Sequence, residues 1–128
     1  MAFEDDVLDL AFKCTTDLSA YQYHFVKLSA DNTVVICSGA TDSPIGVLQN
    51  KPDGSTTTSV ARVRVFGVSR VYVGTATFAF GDKVGTDASG HGIAKTLTTT
   101  KFMGEAIMGG ASATLGTVIL HPMHTISA

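Results

Sequence analysis

The chain contains no tryptophan, so a flat sugar-stacking platform would have to be built from tyrosine alone. It has only two cysteines, Cys14 and Cys37, and their separation fits no zinc or cluster motif. With no apolar leader ahead of them, they are expected to be reduced thiols of a protein made in a cytoplasm. Runs of lysine or arginine are missing too. Nine basic and eleven acidic residues give a net charge of −2 and a pI near 6.0, which argues against nucleic-acid binding through a basic face. No apolar stretch approaches the roughly 20 residues of a membrane-spanning helix, so no membrane association is expected. Charged residues make up only 16% of the chain, a poor supply for long exposed helices.

What is present points to strands. Apolar residues reach 45%, and Thr, Ser, Gly, Ala and Val dominate, a mixture suited to short strands and tight turns. A chain of 128 residues is expected to be one domain that buries roughly two-thirds of its unfolded surface. The expected fold is mainly β: a small single-domain barrel or sandwich of short strands (13–128) carrying a flexible N-terminal arm (1–12).

The organising stretch is Ser43 to Val73. A short apolar run leads into a loop from Asn50 to Ser59 and then into a long β-type run. Pro52-Asp53-Gly54 is turn chemistry: proline presets φ, aspartate bonds its own backbone, and glycine accepts positive φ. Beyond it, Ala61, Val63 and Val65 fall on one face and Val60, Arg62 and Arg64 on the other, the alternation of a strand with one side on a core. Gly67 interrupts the run, as at a bulge or barrel corner, before Val71 and Val73 alternate with Arg70 and Tyr72.

Along the rest of the chain, Phe3, Val7, Leu8, Leu10 and Phe12 mix with Glu4, Asp5, Asp6 and Asp9 in a segment read as the arm. Early acids favour a helix N-terminus, and Asp5, Asp6 and Asp9 lack the glycine-turn spacing of a calcium loop. They read as a solvated face. Tyr21, Tyr23 and Phe25 alternate with Gln22, His24 and Val26 as an aromatic strand face, and Thr33 to Cys37 reads as a buried strand. Further short strands are expected at Ala76 to Phe80, between the turns Gly81-Asp82-Lys83-Val84 and Asp87-Ala88-Ser89-Gly90, and at Ile93 to Leu97. The last third echoes the centre: Ile45-Gly46-Val47-Leu48 before Ala61 to Val65 is matched by Met103-Gly104-Glu105-Ala106-Ile107 before Thr117 to Leu120.

Sites of chemistry are scarce. His121 and His124 are three apart, but Pro122 opposes the helix on which they could share a metal. His91 lies between two glycines with no nucleophile beside it. The glycine-rich stretches lack the lysine-serine/threonine ending of a phosphate loop and the strand-glycine-helix context of a dinucleotide site. No cofactor and no catalytic activity is expected. An enzyme built on His91, His121, His124 and an aspartate ranks third among the functional readings.

The order of elements resembles the capsid cement, or head decoration, proteins of tailed bacteriophages. The resemblance runs from Ile45-Gly46-Val47-Leu48-Gln49-Asn50-Lys51-Pro52 through Ala61 to Val65 and Gly67-Val68-Ser69-Arg70-Val71, then Gly81-Asp82-Lys83-Val84 and Asp87-Ala88-Ser89-Gly90. It covers roughly residues 18 to 120 and includes the final strand after a glycine-rich loop. It implies a structural protein made in the host bacterial cytoplasm that sits on the outside of the capsid. There it would bridge neighbouring major capsid subunits and stabilise the shell. A homo-oligomer, with a trimer favoured, fits such a role because symmetric clustering multiplies modest contacts. Candidate contact residues are Phe3, Val7, Leu8 and Leu10 of the arm, Lys51, Pro52 and Asp53 of the loop, and Arg62, Arg64 and Arg70 of the strand face. The alternative is a small β-barrel displayed on a virion for a carbohydrate or host-surface ligand.

Overall fold

The computed structural model describes residues 7–55, 59–97 and 100–126. Among these the chain forms nine strands and no helix: β1 (Leu8–Lys13), β2 (Phe25–Ala30), β3 (Thr33–Ile36), β4 (Gly46–Leu48), β5 (Val60–Tyr72), β6 (Lys83–Thr86), β7 (Gly92–Ala94), β8 (Lys101–Met108) and β9 (Leu115–Thr125). The expectation of a small, mainly β domain with barrel-like closure holds.

One pairing scheme occurs twice. In the first unit the hairpin β2–β3 pairs through β2 with β4, β4 pairs with β5, and β1 lies between β5 and β3, closing a ring. In the second, the hairpin β6–β7 pairs through β6 with β8, β8 pairs with β9, and the second half of β5 pairs with β9. A parallel bridge from Val73 to Gly92 closes this second ring, as the parallel contact of Lys13 with Thr33 closes the first. The registers correspond. Val26 pairs with Gly46 as Val84 pairs with Gly104, and Leu48 with Val63 as Ala106 with Val118. The faint repeat between the centre and the last third of the sequence therefore marks two equivalent hairpins.

The thirteen-residue β5 belongs to both rings. Its partners change from β1 and β4 to β9 at Phe66 and Gly67, where Gly67 takes φ 100. The strand bends there rather than ending, and its odd-numbered residues face inward on both sides of the bend except at half-buried Val65. Val26, Val34, Leu48, Ala61 and Val63 fill the first ring. Val84, Met103, Ala106, Val118 and Leu120 lie in the second cluster, which Phe25, Cys37 and Val47 join from the other face of the first ring's strands. This explains why β4 is buried on both sides.

Pro52-Asp53-Gly54 turns as expected, with Gly54 at φ 69 and the Asp53 carboxylate accepting the Ser55 N–H. Four local readings change. Leu8 to Phe12 are not part of an arm or a helix start but of β1, whose two-residue period (Leu8, Leu10, Phe12 against Asp9, Ala11) suits the edge of β5. Tyr21 to His24 form a turn, with Tyr23 at φ 68, because its N–H reaches Leu48 O and its carbonyl accepts the Tyr72 N–H. Those long-range bonds override the alternating pattern. Ala76 to Phe80 is a loop that drops Phe78 into the second core. β9 runs on through Pro122 to Thr125, with two extra residues accommodated where its partner steps from Gly104 to Phe102.

Candidate outer-face contact site

The predicted contact residues separate into three groups, with Phe3 outside the described residues. Val7, Leu8 and Leu10 are exposed at the start of the chain and along β1. Leu8 lines an apolar groove with Pro44, Ile45, Phe66, Pro122 and Met123. In the loop, Lys51 and Asp53 face outward, but Pro52 is buried and its carbonyl accepts the Leu18 N–H at 2.9 Å. That burial removes the Pro52 ring from any outward contact surface.

The three arginines do share the outer side of β5, because even-numbered positions there point away from the core. Arg64 is the most constrained. Its Nε and a terminal nitrogen donate to the two carboxylate oxygens of Asp9 at 2.8 and 3.1 Å, and its other terminal nitrogen donates to Val68 O at 2.8 Å. Arg62 approaches the same carboxylate at 3.4 Å. Hydrogen bonding to Arg64 holds the Asp9 carboxyl below the usual carboxylate range, and the same bonds raise the Arg64 guanidinium. Sequence alone put Asp9 on a solvated arm. Only the pairing of Asp9 with Arg64 across 55 residues brings it here.

Arg70 stands further along the same row and is exposed. It pairs in register with Thr117 of β9. With Arg62, Arg64, Tyr23, Gln49 and Ser69 these two residues line an open polar cleft of about 540 Å³. The cleft floor is fixed: the Gln49 amide donates to Ser69 Oγ at 2.9 Å and to Val47 O at 3.1 Å.

Beside the cleft lies an apolar patch that pattern reading did not single out. The outward positions of β5, β9 and β8 in the second ring carry Val68, Leu115, Ile119 and Ile107, between 40% and 47% exposed. Val68 is paired with Ile119, so these two apolar residues adjoin across strands, with Glu105 on the far side of Ile119. Exposed apolar side chains gathered on one sheet face and rimmed by arginine are what a protein contact surface presents. The alternation in Thr117 to Leu120 carried this signal, because it leaves Ile119 opposite the buried Val118 and Leu120.

The histidines fall into two clusters. His121 and His124 stand 5.1 Å apart between ring centroids beside Phe102, brought together by the irregularity in β9, and His121 Nε2 lies 3.1 Å from Glu105. His91 instead packs with His24 and Tyr72 and lies 3.4 Å from Asp87. The proposed grouping of all three with an aspartate is therefore not formed. Among the described residues no group of three or more His, Cys, Asp or Glu side chains could hold a metal ion.

No protein-family model matches the chain, and no curated protein matches it in sequence. Among solved structures it is similar to the head fiber gp8.5 N base of bacteriophage phi29, with a TM-score of 0.64 over 90% of this chain and 94% of that one. The two share a fold. At 15% identity the likeness resides in the strand arrangement rather than in particular side chains.

Proposed function

We propose that this protein is a structural component of a bacteriophage virion that binds the outside of the assembled head and stabilises the shell by bridging major capsid subunits. The observation that carries the reading is the fold shared over nearly the whole chain with the base of a phage head fiber. The motif resemblance to head decoration proteins leads to the same location by a separate route. The outer face supplies the means: an apolar patch on β5, β8 and β9 with arginines along its margin.

A homo-oligomer, favoured as a trimer, suits this role, because copies grouped about a symmetry axis of the shell add modest contacts through avidity. The test is to mix the purified protein with undecorated heads and pellet them. Co-sedimentation at a fixed ratio is expected, and protein that stays in the supernatant overturns the reading. For the bridging role, decorated heads should release packaged DNA at a higher temperature than bare ones.

A further inference from the structure

We infer that the cleft lined by Arg62, Arg64 and Arg70 is a carboxylate-recognition site, and that its occupant is an acidic segment of the shell protein on which this chain sits. The inference rests on the shell-binding reading and specifies the chemistry of the partner.

Two of the cleft's arginines already show how they take a carboxylate. Asp9 of the neighbouring β1 has both of its oxygens gripped by Arg64 and lies 3.4 Å from Arg62. A planar guanidinium matches a carboxylate with two parallel bonds, so Arg64 is already engaged. Among the described residues these three arginines share one ion-paired acid, Asp9, which leaves the described row with two positive charges in excess. Arg70 lies beyond the reach of Asp9 among the ion pairs of the described residues, and Arg62 has more than half of its side chain exposed. Thr117 beside Arg70 and Tyr23 beside Arg64 add hydroxyl groups to the same walls.

Complementary charge on the partner follows from this surplus. A segment carrying two or more carboxylates would pair with Arg70 and Arg62 while its apolar neighbours met Val68 and Ile119. Arg64 is held by Asp9 and acts as the fixed wall of the cleft rather than as a free hand.

The test uses the full chain, isotopically labelled, at low ionic strength, with a tetraglutamate peptide as probe and tetralysine as control. Tetraglutamate should shift the amide resonances of Arg62, Val68, Arg70 and Thr117, and about 0.5 M salt should reverse the shifts. R70E should abolish them, and R62Q/R70Q provides a second variant of milder change. In the shell-pelleting assay R70E should weaken binding at least tenfold.

If the wild type binds shells and both variants bind equally well, the cleft assignment is overturned while the shell reading stands. If tetraglutamate shifts the cleft but no shell binds, the shell reading falls and the acid-binding cleft remains. If R70E alters only self-association in sedimentation equilibrium, the occupant is a second copy and the inference is wrong.

Discussion

Arg64 and Asp9, 55 residues apart, are joined by a two-point ion pair that ties the first strand of the chain to its longest one. The pair lies where β1 closes the first ring, so it serves the fold as well as the surface. D9N should lower the free energy of unfolding by roughly 1–3 kcal/mol at neutral pH. The sign with pH follows from the lowered carboxyl of Asp9. Its contribution is present above the ordinary carboxylate value of 3.8 and is lost as pH falls through the still lower folded value. Urea unfolding should therefore separate wild type from D9N at pH 7 and bring them together near the acid limit of the fold.

Gly46 and Gly104 occupy equivalent places in the two rings, and both should resist substitution. A methyl group at Gly46 would overlap Arg64 O and the Val63 side chain, and one at Gly104 would overlap Ile119 O and the Val118 side chain. In each case a backbone carbonyl of the neighbouring strand stands in the way, so no side-chain rotation relieves the clash. Gly46→Ala and Gly104→Ala should each cost about 1–3 kcal/mol or more in thermal or urea unfolding. Gly81, with open space around it and φ 84, is the contrast: alanine there meets only backbone strain.

His24 makes the stability of the seam between the rings sensitive to acid. Its ring is buried, stacked on Tyr72 at 4.8 Å, edge-on to Tyr21 and His91, and bonded through Nδ1 to Gln22 O at 3.1 Å. His91 in turn faces Asp87. Burial pushes the imidazole below its ordinary value of 6.5, so the unfolded chain binds a proton that the folded chain resists. The stabilising difference is complete above pH 6.5 and declines as pH falls from there toward the folded value. H24F should flatten the dependence of unfolding free energy on pH below 6.5 relative to wild type. An unchanged slope would contradict the assignment.

The two thiols should be silent in the native protein. Cys14 and Cys37 are both free and buried. Burial pushes the Cys37 thiol up to about 12 and raises that of Cys14, so almost no thiolate exists at pH 8. A thiol reagent should label them only as fast as the chain opens, and should label both promptly in denaturant. Rapid native labelling would show that the strands around Cys37 open far more readily than their packing implies.

Much of the fold was legible because some segments obey one rule throughout. The alternation from Val60 to Val73 survives the bend at Gly67, and the Pro52-Asp53-Gly54 turn needs only its own residues. The repeat around Gly46 and Gly104 also shows in the sequence, though its meaning rests on register. Other features depended on distant partners. Tyr21 to Phe25 alternates like a strand, yet bonds from the Tyr23 N–H to Leu48 O and from the Tyr72 N–H to Tyr23 O hold Tyr23 at positive φ. Ring closure by β1 was hidden because Leu8 and Leu10 stay exposed and only Phe12 on that face packs against the first core. The arginine row could be read from β5 alone, whereas Asp9, Thr117 and Tyr23 join it only through pairing.

The proposed role requires the protein to occupy a defined set of sites on the outside of a phage head. Its most direct measurement is the mass of individual purified heads, recorded by charge-detection mass spectrometry as the protein is added. A mass gain that saturates at a fixed number of copies per shell is the expected result. Heads whose mass stays constant, or rises without limit, would contradict it.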